Sequence, residues 1–120
     1  MLNFARVDVP PGAGPSFWSE ELPKRVTDVL LADSSDAPSY EMLIVDEAQD
    51  LLSDPIMDVL ELITVGGLAT GRWAMFGDFE RQAIYSNADA QPGLERLKSR
   101  ANQSYTVYPL RINCRNSRNI

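Results

Sequence analysis

The chain contains no histidine and a single cysteine, Cys114. Without histidine, a His-containing catalytic triad, a His-ligated zinc site and a His general base are all excluded within these residues. A lone cysteine excludes an intrachain disulfide and any metal site built on several thiolates, and it points to a reducing compartment. Long apolar runs are missing too: none approaches the roughly 20 residues needed to span a bilayer, and the N-terminus lacks a charged segment followed by an apolar core. The expectation is a cytoplasmic protein with no membrane partner. Cations are scarce as well, 11 Lys and Arg against 17 Asp and Glu, for a formal net charge of -6. Such a surface disfavours an autonomous, nonspecific nucleic-acid binder, because that binding rests on cationic contacts to phosphate. It still allows a basic groove completed by other domains. Chemistry in this chain therefore rests on carboxylates, amides and arginines.

What is present is ordinary for a globular domain: 44% hydrophobic and 23% charged residues over 120 positions. That composition argues against disorder, and the length suits one domain or part of one. Residues 1–16 read as a peripheral segment, because Val9-Pro10-Pro11-Gly12-Ala13-Gly14-Pro15 is turn-rich: proline removes donors and glycine weakens regular structure. Residues 17–120 form the candidate domain. Leu22, Val26, Val29 and Leu30 recur near a 3.6-residue period and predict a helix over 21–32, with Pro23 tolerable in its first turn. Residues 40–45 are nearly continuous in apolar character, as expected of a strand buried on both faces of a parallel sheet. A second helix is expected to start at Ser53 as N-cap, with Pro55 in its first turn and Ile56, Leu60 and Ile63 on one face, and to stop at Gly66-Gly67. A second strand over 72–76, a helix near 94–100 and a third strand opening at 106–108 complete the alternation. Alternating elements of this kind predict an α/β fold, an open and mostly parallel sheet flanked by helices, with ligands at its carboxyl edge.

Three segments carry the candidate chemistry. In Leu43-Ile44-Val45-Asp46-Glu47-Ala48-Gln49-Asp50, a short apolar strand delivers two adjacent carboxylates to its carboxyl end. That is the layout of an ATPase metal site, where the first acid helps hold Mg²⁺ and the second positions or activates the attacking water. Directly after the second strand comes Gly77-Asp78-Phe79-Glu80-Arg81-Gln82-Ala83-Ile84-Tyr85. A glycine there permits a sharp turn or a close approach, and Gln82 can hydrogen-bond both a phosphate oxygen and water without adding charge. Taken alone, such a segment is more often a solvated loop whose glutamine caps a helix. The third segment is Leu110-Arg111-Ile112-Asn113-Cys114-Arg115-Asn116-Ser117. Arg115 is a candidate arginine finger, a fixed guanidinium that stabilises charge during phosphoryl transfer, although an isolated arginine in a polar turn is more often a surface residue.

In this order the three segments resemble the ATPase core of superfamily 1 helicases of the UvrD/Rep type. The resemblance runs from about residue 40 to residue 120, and the acidic octet, similar to the family's Walker B motif, is its most specific part. It implies a partial RecA-like P-loop NTPase domain, with ATP and Mg²⁺ as cofactors and single-stranded or duplex nucleic acid as a partner of the intact parent. It further implies that Asp46 coordinates Mg²⁺ and that Glu47 orients or deprotonates the hydrolytic water. Gln82 would sense the γ-phosphate and couple hydrolysis to domain movement, and Arg115 would contact that phosphate. Gln49 and Asp50 would support the nucleotide site and its link to nucleic-acid binding, a purely structural role being equally open for Asp50. Tyr85 would pack under the glutamine loop or, less favoured, help line a nucleic-acid path.

Two departures qualify the resemblance. The family commonly has an aromatic residue before the finger arginine, stacked on adenine, whereas this chain has Cys114, which offers no aromatic face. Gly-x-x-x-x-Gly-Lys-Ser/Thr, whose backbone N–H groups and lysine cradle phosphates, occurs nowhere. The expectation is therefore the middle portion of a larger helicase-like ATPase, not competent alone. Truncating a parallel sheet leaves strand edges unpaired, so self-association is expected. Two alternatives stay open: a noncatalytic interaction module with a degenerate helicase fold, and a P-loop ATPase that does not unwind duplexes.

Overall fold

A computed structural model describes residues 7–32, 37–79, 93–102 and 105–109. The turn expected around Pro11-Gly12 is present, and a π-helical turn, Phe17–Glu21, then runs directly into α1, Leu22–Ala32. Leu30 is buried, Leu22 and Val26 are half-buried, and Val29 lies at the edge of the stripe, 38% exposed. Phe17 anchors this entry: it is buried, Trp18 meets it edge-on, and the Arg25 guanidinium lies over its ring at 5.6 Å. Arg25 also pairs with Glu21 one turn back.

The central unit is strand, two helices, strand. β1, Leu43–Val45, pairs in parallel with β2, Trp73–Met75, in the register Leu43 to Trp73, Ile44 to Ala74 and Val45 to Met75. Parallel strands cannot be joined by a tight hairpin, and here α2, Asp54–Ile63, and α3, Gly67–Thr70, make the crossover. β1 is shorter than the apolar run suggests. Tyr40 leaves it to form a separate parallel bridge with Thr64, donating its N–H to the Ile63 carbonyl at 2.8 Å and accepting from Val65 N–H at 2.9 Å.

That bridge also corrects the expected end of α2. The helix stops at Ile63 because Thr64 turns extended, φ -101° and ψ 127°, to meet Tyr40, while its hydroxyl donates to the Leu60 carbonyl at 2.7 Å. The glycines act later: Gly66, at φ 81°, is the N-cap of α3. At the other end of α2, Ser53 has the extended N-cap conformation and Pro55 lies in the first turn as expected, but the Ser53 hydroxyl makes no capping hydrogen bond.

Leu52, Met57, Leu68 and Leu97 form the core, with Leu60, Trp73, Met75, Phe79 and Leu94 packed around them. The buried stripe of α2 is thus centred on Met57, fully buried, rather than on Ile56 and Ile63, which are only half-buried. The helix is wedged between α1 and α3, so its apolar surface is divided between two neighbours. The Trp73 indole N–H donates to the Leu68 carbonyl at 2.9 Å and ties β2 to α3.

α4, Gly93–Arg100, closes the core through Leu97 and reaches back to α2 by charge. Arg100 meets Asp58 at 2.6 Å and Asp54 at 3.2 Å, and Arg96 meets Asp54 at 3.4 Å. Burial alone would lower the pKa of Arg100; the hydrogen bonds and charges of Asp58 and Asp54 outweigh it and raise it.

Two expectations about the sheet are corrected. Residues 105–109 form no regular element, and Val107 and Tyr108 are exposed, so no third strand stands at 106–108. β1 is not buried on both faces: Val45 is buried, but Ile44, which alternation turns to the opposite face, is 66% exposed. Among the described residues the architecture is a mixed α/β arrangement around a two-stranded parallel sheet. None of their helices is long and apolar enough to cross a membrane.

Candidate functional site

The carboxyl ends of β1 and β2 lie side by side because the strands are parallel and in direct register. Past those ends the pairing continues: Phe76 N–H donates to the Val45 carbonyl at 2.8 Å, and Ala48 N–H donates to the Phe76 carbonyl at 2.8 Å. The turn after β1, carrying Asp46 and Glu47, is thereby laced to the turn after β2, carrying Gly77 and Asp78. Ala48 is fully buried at this junction, whereas Asp46, Glu47 and Asp78 are exposed.

Glu47 has φ 50° and ψ 38°, in the left-handed region. That conformation costs an ordinary L-residue roughly 1–2 kcal/mol and persists where surrounding contacts over-determine it. Three such contacts are present. Asp46 Oδ1 accepts the Glu47 N–H at 3.0 Å, and the Glu47 carbonyl accepts Asp50 N–H at 3.1 Å, opening the 3₁₀ turn Ala48–Asp50. The third comes from Gln49, whose Nε2 donates to Glu47 Oε2 at 2.7 Å.

Gln49 also reaches the second turn, its Oε1 accepting Asp78 N–H at 3.1 Å. Gly77 makes room for this. A Cβ at position 77 would run into Gln49 Oε1 and stand 3.1 and 3.2 Å from the backbone nitrogens of Gln49 and Ala48. Of the two uses a glycine could have here, sharp turn or close approach, the packing realises the close approach.

Asp46 and Glu47, the candidate metal and water residues, therefore stand together at the carboxyl edge. Gln82 and Arg115, with Tyr85 and Cys114, lie outside the described residues. Asp46 presents oxygen donors, which suits a hard cation such as Mg²⁺; this ion takes one or two carboxylates and completes its shell with water and phosphate oxygens. Among the described residues no cluster of three or more acidic or cysteine side chains is placed to hold a metal by itself. The contact that sequence reasoning did not foresee is Gln49 to Asp78. A signal existed in the glutamine two residues after Glu47 and the glycine after β2, but their pairing spans 29 positions. No family model matches the chain, and neither a curated protein nor a solved structure does.

Proposed function

We propose that this chain supplies the metal- and water-handling edge of a RecA-like, superfamily 1 helicase-type ATPase that turns ATP into ADP and phosphate. The observation that carries this reading is the convergence of Asp46-Glu47 and Gly77-Asp78 at one carboxyl edge of adjacent parallel strands, where open α/β sheets bind their ligands. The left-handed Glu47 adds support, since backbone strain held in place by surrounding contacts concentrates at functional sites. Asp46 would hold Mg²⁺, which neutralises phosphate charge when bound. Glu47 would orient or deprotonate the attacking water. Gln82 is assigned to γ-phosphate sensing and Arg115 to stabilising charge on the transferred phosphoryl group, with nucleic acid as the partner whose movement hydrolysis drives.

The phosphate loop such chemistry needs is not in these 120 residues. The proposal requires it from another segment of the same polypeptide or from a second chain. Its test is Glu47→Gln in a protein that carries that loop. ATP binding is expected to survive while turnover falls by about 100-fold or more, the scale of general-base loss. Unchanged steady-state hydrolysis removes the assignment.

A noncatalytic interaction module is the second reading, favoured by the missing phosphate loop and by Cys114 in place of an aromatic. Calorimetric titration of the complete protein with Mg·ATP separates the two, since the module gives no heat of binding. Stimulation of hydrolysis by nucleic acid then distinguishes a motor from an ATPase that does not unwind duplexes.

A further inference from the structure

We infer that Gln49 is a positioning residue that holds the Glu47 carboxylate and links it to the Gly77-Asp78 turn. The inference rests on the ATPase reading above and deepens it. Its basis is the carboxamide with one arm on each turn: Nε2 to Glu47 Oε2 at 2.7 Å and Oε1 to Asp78 N–H at 3.1 Å. The partners settle which end of the amide faces which. A backbone N–H can only donate, so the amide oxygen must face Asp78; an ionised carboxylate can only accept, so the NH₂ must face Glu47.

The nearest substitutes each lose an arm or the reach. Asparagine is one methylene shorter, glutamate has no donor for Glu47 and adds a like charge, and lysine or arginine has no acceptor for Asp78. A neutral amide also restrains Glu47 without cancelling its negative charge, which a water-activating carboxylate must retain. Gly77 belongs to the same device, because any Cβ there displaces the amide oxygen. A shift of the Gly77-Asp78 turn is consequently passed through one side chain to the carboxylate that handles water.

The test compares Gln49→Met, which loses both arms, with Gln49→Glu, which keeps the acceptor for Asp78 and loses the donor for Glu47. In a protein carrying the phosphate loop, each variant is expected to lower kcat for ATP by about 10- to 100-fold, the scale seen when a group that orients a functional ligand is removed. KM should stay within about threefold, because substrate binding is not what the amide controls. Gly77→Ala should reproduce the kcat loss while leaving both side chains intact. Wild-type kcat in Gln49→Glu overturns the inference.

Glu47→Gln serves as the reference variant. If it leaves turnover intact, the ATPase reading fails; if it stops turnover while the Gln49 variants do not, only the positioning role fails. The 120-residue chain offers a readout independent of activity. In ¹⁵N NMR the Gln49 side-chain amide protons are expected to resonate away from free-glutamine values and to move in Glu47→Ala. Free-glutamine shifts in the folded chain overturn the inference as well.

Discussion

Ala48 donates its backbone N–H to the carbonyl of Phe76 at 2.8 Å, one residue beyond the end of β2. This bond joins two turns that the strands alone would leave independent, and it holds Asp46 and Glu47 beside Gly77 and Asp78. Because Ala48 is fully buried, the bond is shielded from competing water, and its loss would leave polar groups unsatisfied. The exposed carboxylates therefore sit on a base pinned by a buried backbone hydrogen bond.

The backbone of Glu47 gives the first prediction. At φ 50° a Cβ is strained and glycine is not. Glu47→Gly is expected to be more stable than Glu47→Ala by about 1 kcal/mol, since both lose the carboxylate and only the alanine keeps the strain. Urea unfolding of the two variants measures the difference, and equal midpoints would count against strain at this position.

Met57 gives the second. It is fully buried at the centre of the core with Leu52, Leu68 and Leu97. Met57→Ala should destabilise the fold by about 2–5 kcal/mol, with a smaller effect for the volume-conserving Met57→Leu. Ile56→Ala, at a half-buried site, should cost less than Met57→Ala. Thermal denaturation ranks the three, and a larger loss at Ile56 would contradict the placement of the stripe.

The third concerns the clasp between α2 and α4. Arg100 bridges Asp54 and Asp58, but those carboxylates are 62% and 50% exposed, so water and salt screen the attraction. A double-mutant cycle on Arg100 and Asp54 should yield a coupling below ~1 kcal/mol that shrinks as salt is raised. A coupling of several kcal/mol, insensitive to salt, would show that the pair is shielded.

The fourth concerns the uncovered face of the sheet. Ile44 is 66% and Phe76 53% exposed, and among the described residues β1 and β2 pair only with each other. Open edges and apolar faces invite a second copy of the same chain. Light scattering after size-exclusion chromatography should show an apparent mass that rises with concentration, and Ile44→Lys should shift the population toward monomer. A strictly monomeric wild-type chain would refute this.

Much of the local structure was legible because local physics decides it. The apolar runs ending at Val45 and Phe76 and the spacing of Leu22, Val26 and Leu30 specify strands and a helix from neighbouring residues alone, although the second strand, expected over 72–76, covers only Trp73–Met75. Asp46 and Glu47 follow β1 in the chain, so their place at its carboxyl end needed no tertiary information. The end of α2 was not legible in the same way. Gly66-Gly67 is a strong local stop signal, yet Thr64 leaves the helix earlier because Tyr40, 24 positions before it by their residue numbers, offers a sheet-like bridge. The third strand failed for a related reason: a β-prone run such as 106–108 becomes a strand only where a partner edge lies alongside it.

The order of residues by itself determined which chemistry the chain can carry, through the absence of histidine, the lone Cys114 and the acidic pair after β1. It also determined the alternation of strand and helix, because hydrophobic period and turn residues act over a few positions. Tertiary structure alone decided that Met57 rather than Ile56 is buried, that Ile44 faces outward, and that Gln49 spans 29 positions to Asp78. Those outcomes depend on which surfaces meet when the parallel strands and their crossover helices close on one another, and no local pattern encodes a meeting between distant parts of the chain.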